Sequence, residues 1–441
     1  MFNALVNIFK IEDLRKRVLF TLALITVFRI GAFIPIPGVD GKALASYFDV
    51  LREGTVVGFL NLFTGGAFNN FSIFALGIMP YISASIIIQL LTIVIPYLEK
   101  LSKEGEMGRK KITQFTRYGT VLLASIQSIG LSFWMRNIQA PGGVQVVFMS
   151  GIWFTILATI TLTTGTIFLM WIGEQITQRG IGNGISLIIF AGIVARIPGD
   201  IYQTLRHFIE GIYNPFQLTV FIIIVILVVP AVVIMLQGQR RIPVQYAKRV
   251  VGRKIYGGQS THIPLQINPA GVIPVIFASS ILAFPTTLTT FLGGENPNPF
   301  LNTIANLFKS EGIVYSILYA GLIIFFVYFY TAVIFNPQDV ADNMRKYGGF
   351  VPGIRPGKPT ADYIEKILSR ILFVGAIFLA LIALLPHLLT HWLEITTFYF
   401  GGTSLLIMVG VDLDTMKQVE SYLLMRHYEG FIKKAKLQGR I

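Results

Sequence analysis

Long apolar runs alternate with short polar and basic segments along most of this chain. Each run is about 18 residues or longer, the length that a helix needs to cross roughly 30 Å of hydrocarbon. The pattern predicts an all-α integral membrane protein with ten transmembrane helices, over residues 18–37, 73–96, 117–135, 152–172, 183–204, 216–236, 270–292, 313–335, 368–389 and 398–416.

Ten spans divide into two halves of five, residues 18–204 and 205–416. An odd number of spans per half would give two related halves opposite topology, as in the inverted repeats of many transporters. The halves show no strong sequence similarity, so a repeat is supported only by the number of predicted spans, five in each half. Residues 1–17 are expected to form an amphipathic helix on the cytoplasmic surface, and residues 417–441 a cytoplasmic tail.

A weaker segment, residues 58–71, lies between the first two spans. It is too polar and glycine-rich to face lipid, yet too apolar for an ordinary loop. Non-helical backbone at membrane depth is tolerated only inside protein or beside water. The composition favours a re-entrant element in a central cavity, and an external surface loop is the alternative.

Composition and charge support a membrane protein and give its orientation. Hydrophobic residues make up 54% of the chain and charged residues 13%, which excludes a single soluble core. With the N-terminus inside, 29 of the 36 lysines and arginines fall on the cytoplasmic face, as the positive-inside rule requires. We expect both termini in the cytoplasm. The first run lacks a cleavage site and no transit peptide precedes it, which favours a bacterial plasma membrane.

Two long basic loops, residues 237–269 and 336–370, are the natural docking surfaces for a partner. The alternating residues 249–256 predict a β-hairpin. A solvated loop that merely obeys the charge rule would explain the basic residues but not the length of these loops.

No enzyme signature is present: the chain has no phosphate-binding loop, no zinc-protease motif, no cysteine and five scattered histidines. We expect no catalytic residues, no metal and no cofactor. The glycine-rich residues 180–184 predict a tight turn between two spans. A solute transporter, the main rival, usually keeps charges near mid-membrane. Here Arg29 is the main candidate, since Glu174 and Asp412 lie near cytoplasmic ends. A scaffold without an aqueous pore remains open.

Six segments carry a family resemblance. They are ALGIMPYISASIIIQL at 75–90, GEQITQRGIGNGIS at 173–186, GQRRI at 238–242, AGVIPVIFASS at 270–280, FVPGIRPG at 350–357 and FYFGGTSLLI at 398–407. They resemble signature segments of the SecY family of channel-forming protein-translocase subunits. The resemblance runs from about residue 10 to the C-terminus. It implies two five-helix halves around an hourglass pore.

The resemblance also implies a constriction and a plug. The constriction positions are all isoleucine, namely Ile78, Ile82, Ile185, Ile189, Ile276 and Ile407. Branched apolar side chains would dewet a narrow pore and make ions lose their hydration. Residues 58–71 look like the plug, with Asn61, Phe63, Gly65, Gly66, Asn69 and Asn70 as its marked positions. From composition alone, lipid-facing isoleucines would be the simpler interpretation.

A lateral gate and docking residues follow from the same resemblance. The second, third, seventh and eighth spans would form the gate, with Gln127 and Asn268 as its polar candidates. The docking residues would be Arg240, Arg241, Lys248, Arg249 and Arg355. The implied partners are the small subunits SecE and SecG, the motor ATPase SecA, the ribosome, secretory preproteins with their signal sequences, and anionic lipids, but not DNA. Asp412 is an extra acid where the family pattern has a small apolar residue.

Overall fold

The computed structural model describes residues 11–50, 61, 63–140, 143–149, 151–246, 249–251, 254–256, 260–292, 312–393 and 402–438. The predicted amphipathic segment therefore lies largely outside the described residues. Its described part, from Glu12, continues without a break into the first spanning helix.

The described residues of the N-terminal half include seven named helices. They are α1 (Glu12–Gly31), α2 (Gly41–Val50), α3 (Met79–Val94), α4 (Pro96–Lys103), α5 (Glu106–Asn137), α6 (Ile152–Arg179) and α7 (Gly184–Ile209). Two short strands, β1 (Gln139–Ala140) and β2 (Val144–Gln145), pair after α5. The chain bends by 100° between α3 and α4, where Pro96 forces Ile95 into an extended conformation.

The C-terminal half contains six described helices. They are α8 (Pro215–Gln237), α9 (Ile273–Leu292), α10 (Ile313–Ile334), α11 (Pro337–Lys346), α12 (Lys358–Leu393) and α13 (Gly402–Gln438). Most of α8 faces outward. Between Val220 and Leu236 its exposed side chains are apolar, as a lipid-facing helix requires, with Ile226 and Leu227 each 64% exposed.

Every predicted span overlaps at least one described helix. Within the part of the chain that the structure describes, five stretches are long and apolar enough to cross a membrane by themselves, and a sixth is added if α3 and α4 count as one bent span. The starts and ends differ from the prediction in places. The first spanning helix ends at Gly31, and the second begins at Met79, because residues 32–38 and 65–78 contain turns.

The two long loops join in one small antiparallel sheet, which we call the loop sheet: β3 (Gln239–Tyr246), β6 (Ser260–Gln266) and β7 (Gly349–Phe350). β3 lies in the middle and pairs with both others, from Gln239 opposite Gln266 to Tyr246 opposite Gly349. A separate hairpin, β4 (Arg249–Val251) and β5 (Lys254–Tyr256), confirms the prediction for residues 249–256.

Three larger apolar clusters hold the fold together. The main cluster draws buried residues from both halves, including α1, α3, α6, α7, α9, α10, α12 and α13. A second cluster packs the segment after α1 against α5 and α6. A third lies beneath the loop sheet, with Ile242, Val244, Leu265, Met344, Val351 and Ile364 buried. The loop sheet therefore has a hydrophobic core of its own.

Candidate functional site

The six isoleucines of the predicted constriction come together in the main cluster. Five of them are buried, with exposed fractions from 0% for Ile407 to 6% for Ile276. Ile185 is partly buried and packs against the same cluster. They come from α3, α7, α9 and α13, and from the residue that precedes α3. Both halves of the chain thus contribute to one apolar centre.

Ile78 and Ile82 are aligned by the start of α3. Ile78 is the N-cap residue, and the Ile82 amide donates a hydrogen bond of 3.1 Å to the Ile78 carbonyl. This bond closes the first turn of the helix, so side chains four residues apart lie on one face. Pro80 suits the first turn, where an amide hydrogen would have no partner.

Ile185 and Ile189 are set by the turn between α6 and α7. Asn183 caps α7 by accepting hydrogen bonds from the amides of Ile185 and Ser186. The predicted tight turn is present, and Gly182 takes a φ of +83° in it. Cγ1 of Ile185 would lie 3.0 Å from a Cβ at Gly173, so the side chain of Ile185 packs closely on α6.

The predicted plug segment reaches the same centre. Residues 58–60 and 62 lie outside the described residues, but Asn61 and residues 63–71 are described. Phe63 and Ala67 are buried in the main cluster with the isoleucines. Phe68 and Phe71 are buried in the second cluster. The segment is thus held inside the protein, as its composition predicted, rather than on an external surface.

Several polar groups of the segment form hydrogen bonds within it or to the chain just after α1. The carbonyl of Asn61 accepts from the amide of Gly66 at 3.1 Å, and its side-chain oxygen accepts from the amide of Asn69 at 3.3 Å. Asn70 donates from its amide group to the carbonyl of Ala32 at 3.3 Å. These bonds help a glycine- and asparagine-rich stretch to be buried, since buried polar groups need hydrogen-bond partners.

One contact to the segment comes from a charged residue. Nη1 of Arg29, in the last turn of α1, donates a hydrogen bond of 2.7 Å to the carbonyl of Gly65. Gly65 has a φ of +64°, and a Cβ there would lie 2.6 Å from the Cα of Gly192 on α7. A lone arginine in an apolar run is the sequence signal for such a contact. Its partner was not predictable, because the carbonyl lies 36 residues away in the chain.

The predicted gate helices are in contact along both sides of the seam: α9 packs against α3 and α5. Asn268, just before α9, is only 4% exposed and donates from Nδ2 to the carbonyl of Gly271 at 2.7 Å. Its Oδ1 is buried without a partner among the described residues. Asn268 lines a cavity of about 200 Å³ together with Ser186 and Asp414. Gln127 is half-buried on α5.

The predicted docking residues are divided between the loop sheet and its neighbourhood. Arg240 and Arg241 are exposed on β3. Arg355 is exposed in the turn before α12, and its carbonyl accepts a hydrogen bond from Thr360 Oγ1 at 2.8 Å. Arg249 begins β4, and Lys248 lies outside the described residues. Because β7 pairs with β3, the two long loops that carry these arginines are joined by backbone pairing.

The site offers no ligand set for a metal ion. Within the described ranges, no group of three or more histidine or acidic side chains is placed to hold one. The arrangement consists instead of an apolar centre, a buried segment beside it, and exposed arginines on and near the loop sheet.

Comparison with known proteins places this arrangement among related chains. The model of the SecY family matches residues 72–416. The chain is 51% identical over 427 residues to the protein translocase subunit SecY of Escherichia coli (strain K12), covering 97% of this chain and 96% of that one.

Two solved structures show the fold. One concerns the plug domain of the SecY protein and the closed state of its translocation channel. It has a TM-score of 0.62 at 18% identity, with 92% of both chains covered. The other is Sec61 in the canine ribosome-channel complex from the endoplasmic reticulum. It has a TM-score of 0.57 at 17% identity, also with 92% of both chains covered.

Proposed function

The chain belongs to the SecY family, and from this premise we propose that it is the central, pore-forming subunit of a bacterial protein translocase. It would pass unfolded secretory proteins across the membrane and release transmembrane segments sideways into lipid. It would perform no bond chemistry and would take its driving force from a partner.

One observation carries the proposal: residues from both halves and from the buried segment meet in one apolar cluster. Ile78, Ile189 and Ile407 are each at most 1% exposed, and Phe63 of the segment is 2% exposed in the same cluster. A passing polypeptide could displace the apolar isoleucine side chains, whereas an ion in this apolar centre would lose its hydration. Residues 58–71 would be the plug that fills the centre in the closed state.

The seam between α9 and the pair α3 and α5 is the proposed lateral gate. Signal sequences contain an apolar helix, which is more stable in lipid than in water. An opening between α9 and α3 would let that helix leave the centre, while the polar chain that follows continues across. The unpartnered Oδ1 of Asn268 and the half-buried Gln127 would supply polar groups beside this path.

Partners would dock on the loop sheet. Arg240, Arg241 and Arg355 are exposed on or near the loop sheet, and these cations would suit the phosphates of ribosomal RNA or an acidic patch on a motor ATPase. The similarity to Sec61 of a ribosome-channel complex supports the ribosome as one partner. We propose SecA as the motor and SecE and SecG as small membrane subunits, in a plasma membrane that contains anionic lipids.

Site-specific crosslinking to a stalled precursor tests the proposal. A photoreactive residue is placed at Ile82 or Ile276, both buried in the main cluster, and a third variant carries it at Ile87. Ile87 is the matched control, because it lies on α3 like Ile82 but is 45% exposed. Crosslinks from Ile82 and Ile276 should require a translocating chain. If the precursor crosses the membrane without crosslinks from either position, the chain is not the pore.

A further inference from the structure

Arg29 is a charged residue inside the first span, and it contacts an aromatic ring and a backbone carbonyl. The guanidinium lies 5.3 Å from the centre of the Phe33 ring and donates to the carbonyl of Gly65. A charge within a span is costly and needs specific partners. The C-terminal end of a helix favours a cation, and α1 ends two residues later. Both effects hold Arg29 where it is, but only the bond to Gly65 reaches the buried segment.

The contact at Gly65 leaves little room for movement. A Cβ at Gly65 would lie 2.6 Å from the Cα of Gly192, and one at Gly192 would lie 3.2 Å from the Gly65 amide nitrogen. The segment backbone is thus pressed against α7 and bonded to Arg29 at the same residue, Gly65. Glycine at both positions is what permits this approach.

The other end of the segment is attached differently. The Ile36 amide donates to the carbonyl of Phe71 at 3.1 Å, and the Ile73 amide donates to the carbonyl of Ile34 at 3.0 Å. These backbone bonds tie residues 71–73 to the chain after α1. This attachment does not involve Arg29 and is separate from the contact at Gly65, which lies in the stretch 63–66 that we call the tip.

We infer that Arg29 is the positioning residue that keeps the plug closed, by holding the carbonyl of Gly65 against α7. The inference rests on the proposed function, in which this segment is the plug. Opening would break the bond between Arg29 and Gly65 and separate Gly65 from Gly192, with residues 71–73 as the hinge. Arg29 would stay on α1 and capture the carbonyl again on closing.

The test uses the absence of cysteine from this chain. Thr64 is 1% exposed at the tip, so a Thr64→Cys variant carries a single thiol that reacts with a maleimide only when the tip leaves its seat. Reaction rates are measured in membranes without a translocating chain, with and without Arg29→Gln. Loss of a hydrogen bond from a charged group should raise the fraction of molecules with an open plug on the order of tenfold to a hundredfold. The labelling rate and the resting ion leak should both rise by about that factor.

Arg136→Gln is the matched control. Arg136 is also half-buried near the end of a spanning helix and lies 6.0 Å from a phenylalanine ring, that of Phe133, so this variant loses a similar charge elsewhere. It should leave the labelling of Thr64→Cys unchanged. Arg29→Lys keeps the charge on a shorter donor and should give an intermediate rate. If Arg29→Gln does not assemble, the labelling rate of Thr64→Cys in the Arg29→Lys variant tests the inference instead.

The outcomes separate this inference from the proposed function. A parental labelling rate in the Arg29 variants overturns the role of Arg29. If deleting residues 58–71 still raises the ion leak in that case, the plug itself stands. If the deletion causes no leak, the plug assignment fails with it.

Discussion

At the scale of single residues, isoleucine shows what residue type alone can and cannot reveal. Ile226 on α8 is 64% exposed, whereas Ile407 on α13 is fully buried in the main cluster. Both lie in apolar runs, so composition predicts a spanning helix for each and no more. The six central positions were predictable only because the surrounding segments resemble a known family. Burial then depends on tertiary packing, which local sequence does not encode.

Ile407→Asn should loosen the central seal. The amide is polar and would stabilise water where the cluster is now dry, and burying it without partners costs about 1–3 kcal/mol. We expect a higher resting ion conductance in planar bilayers and secretion of precursors with weakened signal sequences. Ile407→Leu keeps the position apolar and should behave like the parent protein. An Asn variant with parental conductance and parental signal selectivity would remove Ile407 from the constriction.

Arg355→Glu should block motor-driven secretion while the protein still assembles. The side chain is exposed, so the effect on stability should stay within about 0.5 kcal/mol, whereas the reversed charge repels an acidic partner surface. Precursor import into inverted vesicles measures the effect. Arg345→Glu, an exposed arginine on the neighbouring α11, is the control for charge alone. Equal loss in both variants would show that the net charge, and not Arg355, matters.

At the scale of elements, local patterns were predictable and long-range pairings were not. The hairpin at residues 249–256 follows from alternation and a short turn, and the structure confirms it. The loop sheet was missed, because β7 joins β3 across about a hundred residues and is only two residues long. Such a strand has no signal of its own, since its partner fixes it. The break after the second span at Pro96 could have been predicted, because proline disfavours a helical conformation at the residue before it.

Ile242→Ala should loosen both long loops, although it changes only one of them. Ile242 is 2% exposed beneath the loop sheet, and truncating a buried isoleucine costs about 2–5 kcal/mol. We expect limited proteolysis to cut within residues 336–370 as well as within 237–269. Arg241→Ala, the exposed neighbour on β3, should leave the cleavage pattern unchanged. Cleavage confined to residues 237–269 would show that the loops are independent.

At the scale of the whole molecule, the helical membrane architecture was predictable because length and apolarity are summed over many residues, and the family was predictable from its motif segments. The count of ten spans stays a prediction, since five or six stretches among the described residues are long and apolar enough to cross a membrane. Each of the ten runs overlaps a helix, and the family comparison covers residues 72–416. For the segment between the first two spans, composition predicted burial but not the contacts that the segment makes. Its seat depends on Arg29, Gly65 and Gly192, which lie far apart in sequence and meet only when the helices pack.

Orientation in the membrane remains a prediction from the distribution of charge, and it can be measured on the same cysteine-free chain. Lys42 and Lys346 are both exposed and lie on opposite predicted faces, Lys42 outside and Lys346 inside. A membrane-impermeant maleimide should label Lys42→Cys in intact cells and Lys346→Cys only in inverted vesicles. Because 29 of the 36 basic residues would face the cytoplasm, reversing the chain would move most of its charge to the wrong side. Labelling of Lys346→Cys from outside would place the loop sheet away from any ribosome or cytoplasmic motor, and the proposed docking surface would then be wrong.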